Sequence, residues 1–185
     1  MESKLQIISG KYRGRKLNLP RGARPTQNRA RIALFNMLES GIIEPSEKMT
    51  VWDVFAGSGA FGIECISRYG ASVIFTDVAP ESVAAVHKNV AAVSADAQSK
   101  IIQTDAIAAI GRFGADADLI FVDCPYDSAE IGRAFVNKLG RVAKRGAILV
   151  WEQEADNSIE PNADVWNVLR DKTYGRARFL ILLRK

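Results

Sequence analysis

The sequence predicts an α/β fold: a mostly parallel seven-stranded sheet with an antiparallel C-terminal hairpin, preceded by a small N-terminal β-hairpin and helix. Three observations carry this reading. From residue 50 onward, short apolar runs alternate with helical patterns, the order of a sheet covered on both faces. The runs are continuous rather than alternating, as strands buried on both sides are. The last two strand-like runs have no helix between them and join through a tight turn, so they read as antiparallel.

Residues 4–9 (KLQIIS) and 15–19 (RKLNL) alternate well enough for two short strands, with Gly10 and Gly14 around the turn. Arg24-Pro25-Thr26 leads into a helix near 27–39. There Ala30, Ala33, Leu34, Met37 and Leu38 follow the i, i+3, i+4 spacing of a buried stripe, and Arg29 and Arg31 fall off it. A loop near 40–49, holding Gly41 and Pro45, separates an extension (1–40) from the body (41–185). Strands are expected at 51–55, 72–76, 100–104, 118–123 and 147–151, with helices near 60–69, 80–93, 105–112 and 128–143. In the second of these helices Val83, Val86, Val90 and Val93 form an amphipathic stripe, and Pro80 suits its first turn. Residues 165–172 and 177–184, joined through Tyr174-Gly175, make the closing hairpin.

A chain of 185 residues, 48 % apolar, suits one domain with a full core. No apolar run approaches the roughly 20 residues of a membrane span, and no signal-peptide pattern opens the chain. A cytoplasmic monomer is expected. Cys65 and Cys124 have neither disulfide-framework nor metal-ligand spacing, so no metal is expected. Charge is segregated. Residues 1–31 hold nine Lys or Arg against Glu2, residues 32–169 hold ten basic and nineteen acidic residues, and residues 170–185 hold six basic residues against Asp171. A basic arm and tail around an acidic body point to a polyanion such as RNA.

The first body strand runs into Asp53-Val54-Phe55-Ala56-Gly57-Ser58-Gly59-Ala60-Phe61-Gly62. Glycines there permit a sharp turn, and the helix that follows offers free N–H groups to a ligand. Gly57, Gly59 and Gly62 also satisfy GxGxxG, and Asp77 at the next strand end suits ribose hydroxyls, so a dinucleotide is an open alternative. Two details favour S-adenosylmethionine: Asp53, four residues before the first glycine, where a carboxylate can help hold the methionine end, and Asp105 after the third strand, where the adenine amine is often bound. The expected cofactor-contacting set is Asp53, Phe55, Gly57, Gly59, Asp77, Val78, Asp105, Ala106 and Asp123. An oxidoreductase reading leaves the basic arm unexplained, and His87, the only histidine, falls on a body helix.

The fourth strand ends in Asp123-Cys124-Pro125-Tyr126, which resembles the (Asp/Asn)-Pro-Pro-(Tyr/Phe) motif of amino-methyltransferases. An exocyclic amine is a poor nucleophile because its lone pair is delocalised into the ring. The Asp123 side chain and the carbonyl of residue 124 are two acceptors that can hold its N–H groups and turn the lone pair towards a methyl donor. Tyr126 is expected to stack on the base.

IISGKYRGRKL, RPTQNRARIALFNML, DVFAGSGAFGIECISRYGA, FVDCPYD and WEQE together resemble the RsmD-type family of bacterial 16S rRNA guanine-N2 methyltransferases across almost the whole chain. The resemblance implies a Rossmann-like class I methyltransferase with S-adenosylmethionine as cofactor. It also implies a guanine of 16S rRNA in the small subunit or its assembly intermediate as substrate, and Asp123, Cys124, Pro125 and Tyr126 as the catalytic segment. RNA contacts are implied for Arg13, Arg15, Arg24, Arg29 and Arg31. The chain departs from the family at Cys124, usually Pro, and at Ile32, commonly Glu. Adenine N6 or cytosine N4 as target, or a catalytically weak RNA-binding assembly factor, are the alternatives.

Overall fold

A computed structural model describes residues 5–20, 28–125 and 129–185. In chain order these form α1 (Asn28–Glu39), β1 (Thr50–Asp53), α2 (Ala60–Tyr69), β2 (Ser72–Asp77), α3 (Pro80–Ala92) and β3 (Ser99–Gln103). They continue with α4 (Ala106–Phe113), β4 (Leu119–Asp123), α5 (Ala129–Leu139), β5 (Ile148–Glu154), β6 (Trp166–Tyr174) and β7 (Ala177–Arg184). One seven-stranded sheet has the order β3-β2-β1-β4-β5-β7-β6. The first five strands are parallel, and β7 runs antiparallel to both β5 and β6. The reversal of strand order at β1/β4 leaves a crevice beyond their carboxyl ends, where open α/β sheets take ligands.

Side chains of successive strand residues enter opposite faces of the sheet. Val51, Val73, Phe75, Leu119, Phe121, Ile148 and Val150 join one buried cluster with residues of α1, α2 and α3. Trp52, Ile120, Val122, Leu149 and Trp151 join the other, with α4 and α5. The first cluster also takes in Leu5, Ile7, Leu17, Leu34, Phe35 and Leu38. Among the described residues the N-terminal extension therefore shares the core of the body and has none of its own.

The extension departs from its expected form in two respects. The expected strands at 4–9 and 15–19 reduce to one antiparallel bridge, Gln6 to Lys16, with the backbone bonds Ile7 to Arg15, Gly14 to Ile7 and Leu17 to Leu5 around it. The segment gains its order from α2. The Ile8 and Ser9 amides donate to the two oxygens of Glu64, and the Lys11 and Tyr12 amides donate to the carbonyl and hydroxyl of Ser67. Gly10 has φ +80°, and a Cβ there would lie 2.0 Å from the Ser67 carbonyl oxygen. Arg31 corrects the reading of α1: it is 4 % exposed, and its guanidinium donates to the Gln6 carbonyl and to Asn28. Its long stem packs inside while its head ties helix to extension, so it is no surface contact for RNA. The helix expected near 128–143 ends at Leu139.

Candidate active site

The turn between β1 and α2 is built by glycines that do two different jobs. Gly57 (φ +53°) and Gly59 (φ +74°) take left-handed backbone, and a side chain on Gly57 would meet nothing. That leaves an open approach to the backbone at the start of α2, where amides and helix dipole favour negative or polar groups. Gly62 is different: a Cβ there would lie 2.3 Å from the Phe75 ring. It lets α2 settle on the sheet and has no ligand-facing job.

Carboxyls surround this turn. Asp53 is buried and accepts the Gly62 amide at 3.0 Å. Asp77 accepts the Gly57 amide through one oxygen and the Ala79 amide through the other, both within 2.9 Å. Each carboxylate oxygen keeps a second lone pair for a hydroxyl. Asp123 ends β4 on the face shared by Leu119 and Phe121, next to Cys124 and Pro125. Asp105 is exposed and caps α4, accepting the Ala108 amide at 2.9 Å. Val78 is 67 % exposed directly after Asp77, Ala106 is buried at the start of α4, and Phe55 lies edge-on to Phe135. Asp53, Gly57, Gly59, Asp77, Val78 and Asp123 thus come together at the carboxyl edge of β1, β2 and β4.

Burial shapes the electrostatics. It pushes the Asp53 carboxyl up to about 8, and the nearby Asp123 and Asp77 charges add to the effect against the Gly62 amide, which lowers it. Burial likewise raises Asp123, to about 7. Crowded carboxyls in a low-dielectric pocket cannot all ionise without cost, so the crevice favours a cationic ligand. Burial and the Asp123 charge raise the Cys124 thiol to about 11. It stays a neutral thiol at physiological pH, packed over Gly132, where a Cβ would come within 2.7 Å of its sulfur.

One residue at this edge, part of the WEQE segment, was given no role by the sequence reading. Glu152 of β5 pairs in register with Asp123, is 4 % exposed, and its Oε2 finds no partner among the described residues. Burial, then Asp123, holds its carboxyl well above the ordinary range. The available signal was weak: an acid directly after the apolar run AILVW. Only the β4–β5 register connects it to Asp123. Tyr126 and Arg24 lie outside the described residues. Of the expected RNA-contacting arginines, Arg13, Arg15 and Arg29 are exposed, with Arg15 donating to the Ala92 carbonyl. The basic tail is partly neutralised: Arg178 pairs with Asp171 and Glu160, and Arg176 with Glu154. Among the described residues no acidic, His or Cys cluster suits a metal ion, and no helix is long and apolar enough to cross a membrane.

A family model described as conserved hypothetical protein 95 matches residues 5–183. The chain is 31 % identical to ribosomal RNA small subunit methyltransferase D of Escherichia coli K12, over 98 % of its own length and 90 % of the relative's. It is 32 % identical to the protein of that name from Buchnera aphidicola of Acyrthosiphon pisum, over 85 % and 82 %. Among solved structures it superposes on a putative methyltransferase, yhhF, from Escherichia coli with a TM-score of 0.83, 28 % identity and 98 % of each chain covered. A 16S rRNA N2 G1207 methyltransferase of Thermus thermophilus, solved with AdoMet and guanosine, shares the fold at a TM-score of 0.70 and 20 % identity. There the match covers 89 % of this chain and 45 % of that one.

Proposed function

Because the chain belongs to the conserved hypothetical protein 95 family, whose relatives here are small-subunit rRNA methyltransferases, we propose that it methylates the exocyclic N2 amine of a guanine in 16S rRNA. At the coarser level, it is an S-adenosylmethionine-dependent rRNA methyltransferase. The observation that carries the finer reading is the placement of Asp123-Cys124-Pro125 at the end of β4, next to the glycine turn after β1.

The residues present fit the cofactor. Open backbone at Gly57 and the Asp77 carboxylate suit the ribose and methionine ends, and exposed Val78 offers an apolar surface to the adenine. The crowded carboxyls of Asp53 and Asp123 suit a molecule that carries positive charge. When bound, S-adenosylmethionine supplies a methyl group on a positively charged sulfur that departs as a neutral thioether. Asp123 and the Cys124 carbonyl accept the amine's two N–H groups and direct its lone pair, and the Asp123 carboxylate is placed to take the proton the amine releases. Cys124 in place of proline leaves this intact, since the acceptor is a backbone carbonyl. Tyr126 is assigned to stacking on the base. Arg13, Arg15, Arg24 and Arg29 are assigned to phosphates of the substrate, in the small subunit or its assembly intermediate. Phosphate contacts set position and leave base identity to the pocket.

The test is methyl transfer from labelled S-adenosylmethionine to small subunits of a strain lacking the gene, with the modified nucleoside identified by mass spectrometry. The reading expects 2-methylguanosine in 16S rRNA. N6-methyladenosine or N4-methylcytosine would overturn the base assignment, and no transfer would favour an assembly factor.

A further inference from the structure

We infer that Glu152 is the guanine-selecting residue of this site, its carboxylate accepting the ring N1–H while Asp123 accepts the neighbouring 2-amino group. The inference rests on the guanine-N2 reading above and names the residue that enforces it. Three independent observations support it.

The first is register. Asp123 and Glu152 are direct partners across the parallel β4–β5 pair, and neighbouring strands lie about 4.8 Å apart. Residues in register on one sheet share a face, so both carboxyls project from the carboxyl edge to the same side. The second is an unmet need. Glu152 is 4 % exposed, and its Oε2 has no hydrogen-bond partner among the described residues. An unsatisfied buried acceptor is costly, more so when charged; a donor arriving with the substrate removes that cost and favours the ionised carboxylate over the acid form that burial favours without it. The third is location. Glu152 lines a narrow cleft with Cys124, Pro125 and Gln153, continuous with the segment that holds the amine. Gln153 fixes this wall by bonding the Ile159 amide and carbonyl at once, at 2.7 and 2.9 Å.

The chemistry then selects the base. Guanine alone among the RNA bases presents a ring N–H beside an exocyclic amine, two donors in a row that two carboxylates can accept together. Adenine and cytosine have a bare ring nitrogen beside their amine, and a carboxylate facing that lone pair is repelled. A site built around a hydrogen-bonding partner discriminates strongly against analogues lacking it.

The experiment uses subunits reconstituted with 16S rRNA that carries 2-aminopurine at the methylated position, once that position is mapped with the wild-type enzyme. 2-Aminopurine keeps the 2-amino group and replaces N1–H by an acceptor. Wild type should prefer guanine by on the order of 100-fold or more in kcat/KM. Glu152→Gln presents an amide able to donate to that acceptor, so it should lose guanine activity and narrow the preference by about tenfold or more. Its S-adenosylhomocysteine affinity should match wild type. A guanine activity that falls with the preference unchanged would overturn the inference and leave Glu152 a structural residue. If Glu152→Gln fails to fold, wild type alone decides: equal turnover of the two bases overturns it. A wild-type product other than 2-methylguanosine would instead sink the guanine reading itself.

Discussion

At the residue scale the active edge is a set of acids held where water cannot easily reach them. If Asp123 is one of the two amine acceptors proposed above, Asp123→Ala removes it and leaves the glycine turn untouched. Turnover should fall by about 100-fold or more, well beyond any loss of cofactor affinity, and single-turnover kinetics with parallel calorimetry read both. Asp53 gives a pH prediction with a definite sign. Its carboxyl titrates at about 8 in the fold against 3.8 ordinarily, so between those values the folded state keeps a proton that the unfolded chain has lost. Stability of the cofactor-free protein should therefore fall as pH rises across that window. Asp53→Asn, which still accepts the Gly62 amide, should flatten the fall; denaturant titrations at about pH 5 and about pH 8 measure it. Asp53, Asp77 and Asp123 were legible from sequence because each closes an apolar run, and a strand's end is where chemistry collects in this fold. Arg31 misled for the opposite reason. Its side chain is cationic and sits off the aliphatic stripe, yet its guanidinium bonds the Gln6 carbonyl, a partner no helical periodicity can show.

At the element scale, two glycines decide whether helix and extension can dock. Gly62→Ala forces a methyl towards the Phe75 ring, 2.3 Å away, and should destabilise the fold by about 1–3 kcal/mol as overpacking does, read from the urea midpoint. The same substitution at Gly57 meets no neighbour, so only its φ of +53° resists it. The three glycines look alike in the motif, and only packing separates Gly62 and Gly59, which face the Phe75 ring, from Gly57, which faces open space. The mostly parallel sheet was readable from the alternation of apolar runs and helices, and the closing hairpin from the absence of a helix between its runs; the order of strands across the sheet came only from the structure. The extension's strands were not. Their alternating pattern is real, but the backbone donors at Ile8, Ser9, Lys11 and Tyr12 go to Glu64 and Ser67 of α2, and a sequence names no partner at that separation.

At the scale of the whole molecule charge is segregated, an acidic crevice beside a basic extension, and the proposed function gives the first to the cofactor and the second to the polyanion. If Arg13 and Arg29 grip phosphates, replacing both by Ala should raise the apparent KM for the subunit and flatten its salt dependence, the logarithmic slope falling by about one for each phosphate no longer gripped. Cofactor affinity should not move. An unchanged slope, measured at several salt concentrations, would remove the extension from RNA binding. Arg176 and Arg178 should contribute less than their charge suggests, because Glu154, Asp171 and Glu160 already engage them. The position of β7 has a consequence for how the protein is made. Its residues, Ala177–Arg184, follow β6 in the chain, yet they lie between β5 and β6 and bury Phe179, Leu180, Ile181 and Leu182. β6 reaches the sheet only through its pairing with β7, so the hairpin joins the body after β7 has been made. A nascent chain stalled before residue 177 carries an unpaired β5 edge and an uncovered apolar face, the features that chaperones and proteases recognise.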